Sequence, residues 1–401
     1  MSVPLLDLKP QNLALEAELT EAFRRVLHSG HYILGPELDR FESGMAGFLG
    51  VRHALGVSSG TDAILLALMS LGIGPGDEVI VPSFTFFATG GCVSRVGATP
   101  VFADVCPVCF NLDARDAERR ISPRTRAILP VHLFGQAADL DVLLDLARRK
   151  GLHVIEDGAQ ALGAHYRGRA VGGFGEFGTF SFFPSKNLGA LGDAGLLVTQ
   201  DDALAERAAL LRLHGAKPKY YHHLVGANFR MDALQAALLS VKSARYAEYT
   251  EARCRNAADY TAQLSAIPGV IEADPSQCGC VNPGSEALSP KARLVLPVAY
   301  PHNTPIWNQY TIRVIGTGRR DALRTHLQSR GVGTEIYYPV PLHAQPCFVR
   351  EVQRPDSPSG RFPFPVSERL AGEVLSLPIY PELTQEQRDE VVAGIRSFLD
   401  S

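Results

Sequence analysis

The feature that most constrains this chain is a regular alternation of short apolar runs with longer amphipathic stretches through its first half. Val79-Ile80-Val81, Val101-Phe102-Ala103, Ala127-Ile128-Leu129, Val154-Ile155, Thr179–Phe182 and Gly195–Val198 have the length and β-branched content of buried strands. Between them, residues 62–71, 138–150 and 203–213 carry apolar residues at helical spacing. Strands that alternate with helices predict an α/β unit built on a mostly parallel sheet. Such sheets bind ligands beyond the carboxyl ends of their strands, and chemistry is sought there.

Upstream, residues 12–28 place Leu15, Leu19, Ala22, Phe23 and Val26 on one helical face that ends at Ser29-Gly30. Downstream, a long helical stretch is predicted from Met231 to about Leu264. The Pro-, Gly- and Ser-rich stretch 275–305 reads as a loop or insertion. A smaller α/β unit follows, with strands at Tyr310–Val314 and Thr334–Tyr338, a helix at Arg320–Arg330 and a second loop at 355–365. A length of 401 residues suits roughly two or three domains. The expected division is a large domain over 1–250 and a small C-terminal domain over 251–401.

With a net charge of −3, no general attraction to nucleic acid or anionic membrane is expected. No secretion signal is read at the N-terminus, and the run Ala63–Leu71 is far short of the roughly 20 residues a membrane span needs. Seven cysteines scattered over the chain fit reduced thiols. The expected location is the cytoplasm.

Three elements could carry chemistry. Ser58-Ser59-Gly60-Thr61-Asp62 precedes an apolar helix. It is either a plain helix N-cap or a seat for an anion, where free N–H groups meet the helix dipole and Gly60 allows close approach. Asp157 stands where the strand Val154-Ile155 should end. It is either a local cap or a carboxylate that holds a proton on a heterocyclic nitrogen. Lys186 follows an apolar strand and sits between Pro184 and Gly189. Most lysines are solvated surface groups. A buried one loses basicity and can attack a carbonyl carbon.

Together with Pro82-Ser83-Phe84-Thr85-Phe86, Glu156-Asp157-Gly158-Ala159-Gln160-Ala161 and Ser181-Phe182-Phe183-Pro184-Ser185-Lys186-Asn187-Leu188-Gly189, the order of these elements resembles the DegT/StrS family of sugar aminotransferases. Gly226–Asp232, Tyr337–His343, Leu5–Lys9 and Gly30–Pro36 are similar as well, so the likeness covers nearly the whole chain. It implies the fold of type I pyridoxal-phosphate transferases, a large domain with a mostly parallel sheet and a smaller C-terminal α/β domain. It also implies pyridoxal 5'-phosphate as cofactor, a nucleotide-linked keto sugar as amino acceptor and glutamate as donor.

Position by position, the resemblance implies that Lys186 carries the cofactor and moves the proton, that Asp157 pairs with the ring nitrogen and that Gln160 lies near the phenolic oxygen. Phe86 would stack on the ring, unless it is only a core aromatic. Gly60, Thr61 and Ser181 would bind the phosphate, and Asn228 would reach it from a neighbouring subunit, which implies a homodimer. Tyr338 and His343 would border the sugar pocket. The run Tyr338–Pro346 is most similar to members that aminate C3 of a deoxyhexose or uronate.

Lys186 argues against relatives that carry His there and dehydrate their substrates. A transaminase for a cyclitol or other cyclic ketone stays open, as does a pyridoxal-binding regulator without turnover. Cys106-Pro107-Val108-Cys109 and Cys278-Gly279-Cys280 could in principle build a zinc site. The first pair stands where the family more often has an Asp-Pro turn, and no metal is expected. Gly72-Ile73-Gly74-Pro75-Gly76 follows a helix instead of a strand, against a dinucleotide fold.

Overall fold

The computed structural model describes residues 2–277, 288–353 and 357–400. Seven strands form the main sheet: β1 (His53–Val57), β2 (Glu78–Pro82), β3 (Thr99–Ala103), β4 (Thr125–Ile128), β5 (His153–Asp157), β6 (Phe177–Ser181) and β7 (Gly195–Thr199). Their order is β1-β7-β6-β5-β4-β2-β3. The pairs β2–β3, β2–β4, β4–β5 and β5–β6 are parallel, while β7 runs antiparallel to both β6 and β1. Every residue of β2 and β7 is buried, as expected where helices cover both faces. The helix Gly60–Ser70 is apolar nearly all round and sits inside this core.

The other predicted helices form at Leu140–Lys150, Asp202–Leu211 and Arg319–Ser329. Two long helical stretches are broken. The first divides at Leu15 into Lys9–Ala14 and Glu16–Ser29. Leu19, Ala22 and Val26 are buried there, but Phe23 turns out to be half exposed. The second divides at Ala244-Arg245 into Ala233–Ser243 and Tyr246–Ser265, and the latter helix spans the expected boundary at residue 250.

A second sheet pairs β8 (Val270–Glu272), β9 (Leu294–Leu296), β10 (Tyr310–Val314) and β11 (Val374–Leu377) in that order. Three of these strands were not foreseen, and β9 lies within the stretch read as a loop. Its Leu-Val-Leu run is too short to stand out among Pro and Ser, yet all three residues are buried. Conversely, residues 334–338 are not a strand. Only Glu335 pairs with Ser376, after which the chain turns away toward Pro339 and Pro341. The N-terminal Val3 pairs with Val332 and is buried in the same core as the second sheet. Residues 278–287 of the expected insertion, with Cys278 and Cys280, and residues 354–356 of the second loop lie outside the described residues.

Candidate active site

The carboxyl ends of β1, β2, β5 and β6 open into one cavity of about 660 Å³. Eight of the expected site residues line it: Gly60, Thr61, Phe86, Asp157, Gln160, Ser181, Lys186 and Tyr338. The anion seat is the start of the helix Gly60–Ser70. Ser59 caps it by accepting from the Asp62 N–H at 3.0 Å, which leaves the N–H groups of Gly60 and Thr61 without partners inside the helix. A Cβ on Gly60 would come within 2.8 Å of the Ser181 Cβ, so only glycine lets this helix end approach the end of β6.

Asp157 closes β5 and is buried. Its Oδ1 accepts from the Ala159 N–H at 3.1 Å and its Oδ2 from the Thr89 hydroxyl at 2.9 Å. Burial raises its pKa, against these two donors, Lys186 and His132. The neighbouring Glu156 points away from the cavity into the core. There it accepts from Nε2 of His132 at 3.0 Å and from the N–H groups of Gly172, Phe174 and Gly175 at 2.7, 2.7 and 2.9 Å. Burial pushes Glu156 up, but these donors outweigh it and hold the carboxyl below its usual range. The Ala138 N–H donates to Nδ1 of His132, so the ring carries its proton on Nε2. Two adjacent acids on one strand thus have opposite tasks: Glu156 anchors the loop 172–175, and Asp157 faces the cavity.

The Lys186 backbone N–H donates to Phe183 O at 2.8 Å, while its Nζ makes no hydrogen bond or ion pair among the described residues. Burial lowers its pKa to about 8, with Asp157 pulling the other way. The loop that carries it is held from behind. Gly189 O accepts from Nζ of the buried Lys242 at 2.6 Å, and Asn187 bonds Ile306 O and Asn308. Gln235 exchanges two hydrogen bonds with the backbone of Leu191.

Gln160 accepts from the Phe134 N–H at 2.7 Å and donates to the Tyr338 hydroxyl at 3.2 Å, tying the cavity floor to the segment 334–345. Phe86 is 58% exposed, which rules out the reading as a core aromatic. Its ring centre stands 6.3 Å from that of Tyr338.

Two expected site residues do not reach the cavity. His343 is buried behind its wall. It bonds Ser83 Oγ at 2.5 Å and Glu368 at 3.3 Å, and stacks on Phe364 with ring centres 4.0 Å apart. Its neighbour Leu342 faces the cavity instead, so His343 anchors the wall and does not line the cavity. Asn228 is exposed and does not line the cavity of its own chain. Residues the sequence reading passed over also line it, among them Thr85, Asp193, Gln309 and Glu335. Thr85 lay in plain view in the Pro-Ser-Phe-Thr-Phe run; the other three carried no local signal.

Cys106 and Cys109 are packed with Val108 and Tyr300 in a small buried cluster. Among the described residues, no three His, Cys, Asp or Glu side chains group as a metal site would require. No helix among them is long and apolar enough to cross a membrane.

The chemistry of the cavity matches that of a phosphorylated, nitrogen-containing aromatic aldehyde. A helix N-terminus suits the phosphate, a buried carboxylate the ring nitrogen, an exposed aromatic face the ring, and an amine of lowered basicity the aldehyde.

Comparison with known proteins gives the same picture. The family model described as DegT/DnrJ/EryC1/StrS aminotransferase matches residues 14–282 and 285–396. The chain is 44% identical over 398 residues to a dTDP-3-amino-3,4,6-trideoxy-alpha-D-glucose transaminase of Streptomyces venezuelae, covering 99% of this chain and 96% of that one. It is 42% identical over 402 residues to a pleiotropic regulatory protein of Geobacillus stearothermophilus, covering 99% of each. The crystal structure of S. venezuelae DesV in complex with a ketimine intermediate superposes with a TM-score of 0.88 at 44% identity, over 100% of this chain and 99% of that one. The chain belongs to the DegT/DnrJ/EryC1/StrS aminotransferase family.

Proposed function

We propose that the protein transfers an amino group from glutamate to a nucleotide-linked keto sugar with pyridoxal 5'-phosphate as cofactor, in amino-sugar biosynthesis. The observation that carries this reading is the placement of Lys186 and Asp157 in one cavity with the anion seat of Gly60 and Thr61. When bound, the cofactor supplies an electrophilic carbon and an electron sink through which nitrogen passes between donor and acceptor.

The protein's own residues do the rest. Gly60 and Thr61 bind the phosphate with backbone N–H groups and a hydroxyl, and Ser181 adds a second hydroxyl. Phe86 covers one ring face. Asp157 holds a proton at the ring nitrogen, and Gln160 donates toward the phenolic oxygen. Lys186, whose pKa burial lowers to about 8, supplies the attacking amine and then moves protons at its Nζ. Tyr338 and the segment after it close the sugar side and exclude water.

Asn228, exposed on the surface, completes the phosphate site of a second copy, so the working form is a homodimer; its place is the cytoplasm. The expected division into residues 1–250 and 251–401 keeps nearly all of these groups on the larger part, with Tyr338 reaching in from the smaller one. The S. venezuelae relative favours a dTDP-linked deoxyhexose ketone aminated at C3 over a cyclitol. The G. stearothermophilus relative keeps a second reading in view, a cofactor-binding regulator.

The test is a panel of nucleotide-linked keto sugars and keto-cyclitols, assayed with glutamate and the cofactor. Transfer to a nucleotide sugar that Lys186→Ala abolishes is the expected result. A regulator would take up the cofactor and leave glutamate unchanged. Turnover by Lys186→Ala at the wild-type rate would refute the assignment.

A further inference from the structure

Behind Asp157 lies a short line of hydroxyls. Thr89, in the first turn of the helix Phe87–Arg95, is wholly buried and places its Oγ1 2.9 Å from Asp157 Oδ2. Thr85, on the cavity wall, places its own Oγ1 3.2 Å from that of Thr89. An ionised carboxylate can only accept, so the Thr89 proton must point at Asp157. The Thr89 oxygen is then left to accept from Thr85, and the two bonds run in one direction and reinforce each other.

With the Ala159 N–H on Oδ1, each carboxylate oxygen has one fixed donor. Each also keeps an open lone pair for an incoming N–H. The titratable and charged groups facing this carboxylate are Lys186, His132, Cys92 and Tyr338. Only Lys186 among them brings a cation into the cavity.

We propose that Thr89, held as a donor by Thr85, is a positioning residue that fixes the Asp157 carboxylate to receive the protonated ring nitrogen of the cofactor. The inference rests on the reading of the cavity as a pyridoxal-phosphate site. Without Thr89, Oδ2 would be buried with no protein donor, and the carboxylate would favour its neutral form. A neutral acid leaves the ring proton without a counter-charge, and the ring draws electrons less well. Burial raises the Asp157 pKa, and the Thr89 hydroxyl pulls against it.

The experiment reconstitutes the wild-type, Thr89→Val and Thr89→Ser chains with pyridoxal phosphate. It follows the visible absorbance band for affinity and the unfolding midpoint of each cofactor-free form. Valine keeps the shape and removes the hydroxyl, so binding should weaken about tenfold or more, in line with loss of a hydrogen bond to a charged group. Serine should restore binding to within about threefold with a cofactor-free midpoint close to that of the wild type, while the cofactor-free valine chain, its Oδ2 left without a donor, should unfold somewhat earlier. Thr85→Val, which leaves Thr89 in place, should weaken binding by a smaller factor.

Wild-type affinity in Thr89→Val, or a Thr89→Ser chain as weak as Thr89→Val, would overturn the proposal. So would an affinity loss in Thr89→Val that the unfolded fraction of its cofactor-free form accounts for in full. If Thr89→Val does not accumulate, unchanged affinity in Thr85→Val refutes the relay. A wild-type chain that acquires no visible band overturns the cofactor reading itself, an outcome distinct from all of these.

Discussion

Replacing Lys242 by Met sets two opposed effects against each other, and pH separates them. Lys242 is 1% exposed and donates to Gly189 O at 2.6 Å and to Asn12 Oδ1 at 3.2 Å. Burial lowers its pKa from 10.5 to about 8, with Glu382 acting in the opposite direction. Below about pH 8 the folded chain therefore buries a charge. Between about pH 8 and 10.5 the unfolded chain holds this proton and the folded chain does not, so a rise in pH stabilises the fold. At 1.36 kcal/mol per pKa unit, the wild type should gain about 2–3 kcal/mol between neutral pH and about pH 10 from this residue alone.

The methionine variant lacks that gain. It also loses two hydrogen bonds, a cost of about 1–3 kcal/mol that is present at every pH. The two chains should therefore be similar in stability near neutrality, and the wild type should pull ahead in alkali. Urea unfolding of both cofactor-free proteins at the two pH values measures this, because every other titrating group cancels in the difference. A stability difference that does not change with pH would refute the reasoning.

Glu156→Ala strands His132 and three backbone N–H groups in the core and should cost about 3–5 kcal/mol in urea unfolding; a loss under about 1 kcal/mol would contradict it. Gly60→Ala sets a methyl group against Ser181 and should weaken cofactor binding by about 1–3 kcal/mol, as measured by visible titration, with the fold retained.

What could be read from the sequence divides along a physical line. Strands buried on both faces, such as Glu78–Pro82 and Gly195–Thr199, announce themselves through continuous apolar runs. The edge strand His53–Val57 does not, because His53 and Gly56 interrupt its pattern. Thr334–Tyr338 has strand-forming residues but finds only one backbone partner pair, and its side chains are spent on the cavity wall. Lys186 and Asp157 could be placed because strand ends are where an α/β sheet opens. His343 was misassigned because its partner Ser83 lies 260 residues away, and no local signal records that pairing. Thr89 escaped notice for the same reason, and Phe23 because helical periodicity places a residue on a face without saying what covers it.

The antiparallel strand β7 has a consequence for how the protein comes to exist. Gly195 pairs with both Val57 and Ser181, and a side chain on it would collide with the backbone of Ser59. The anion seat and the end of β6 therefore meet only once this segment has slotted between the strand just before it and the much earlier β1. Contacts so distant along the chain form slowly. A nascent chain halted short of β7 would hold five strands in parallel register and no competent site, so uptake of the cofactor should mark one of the last events of folding.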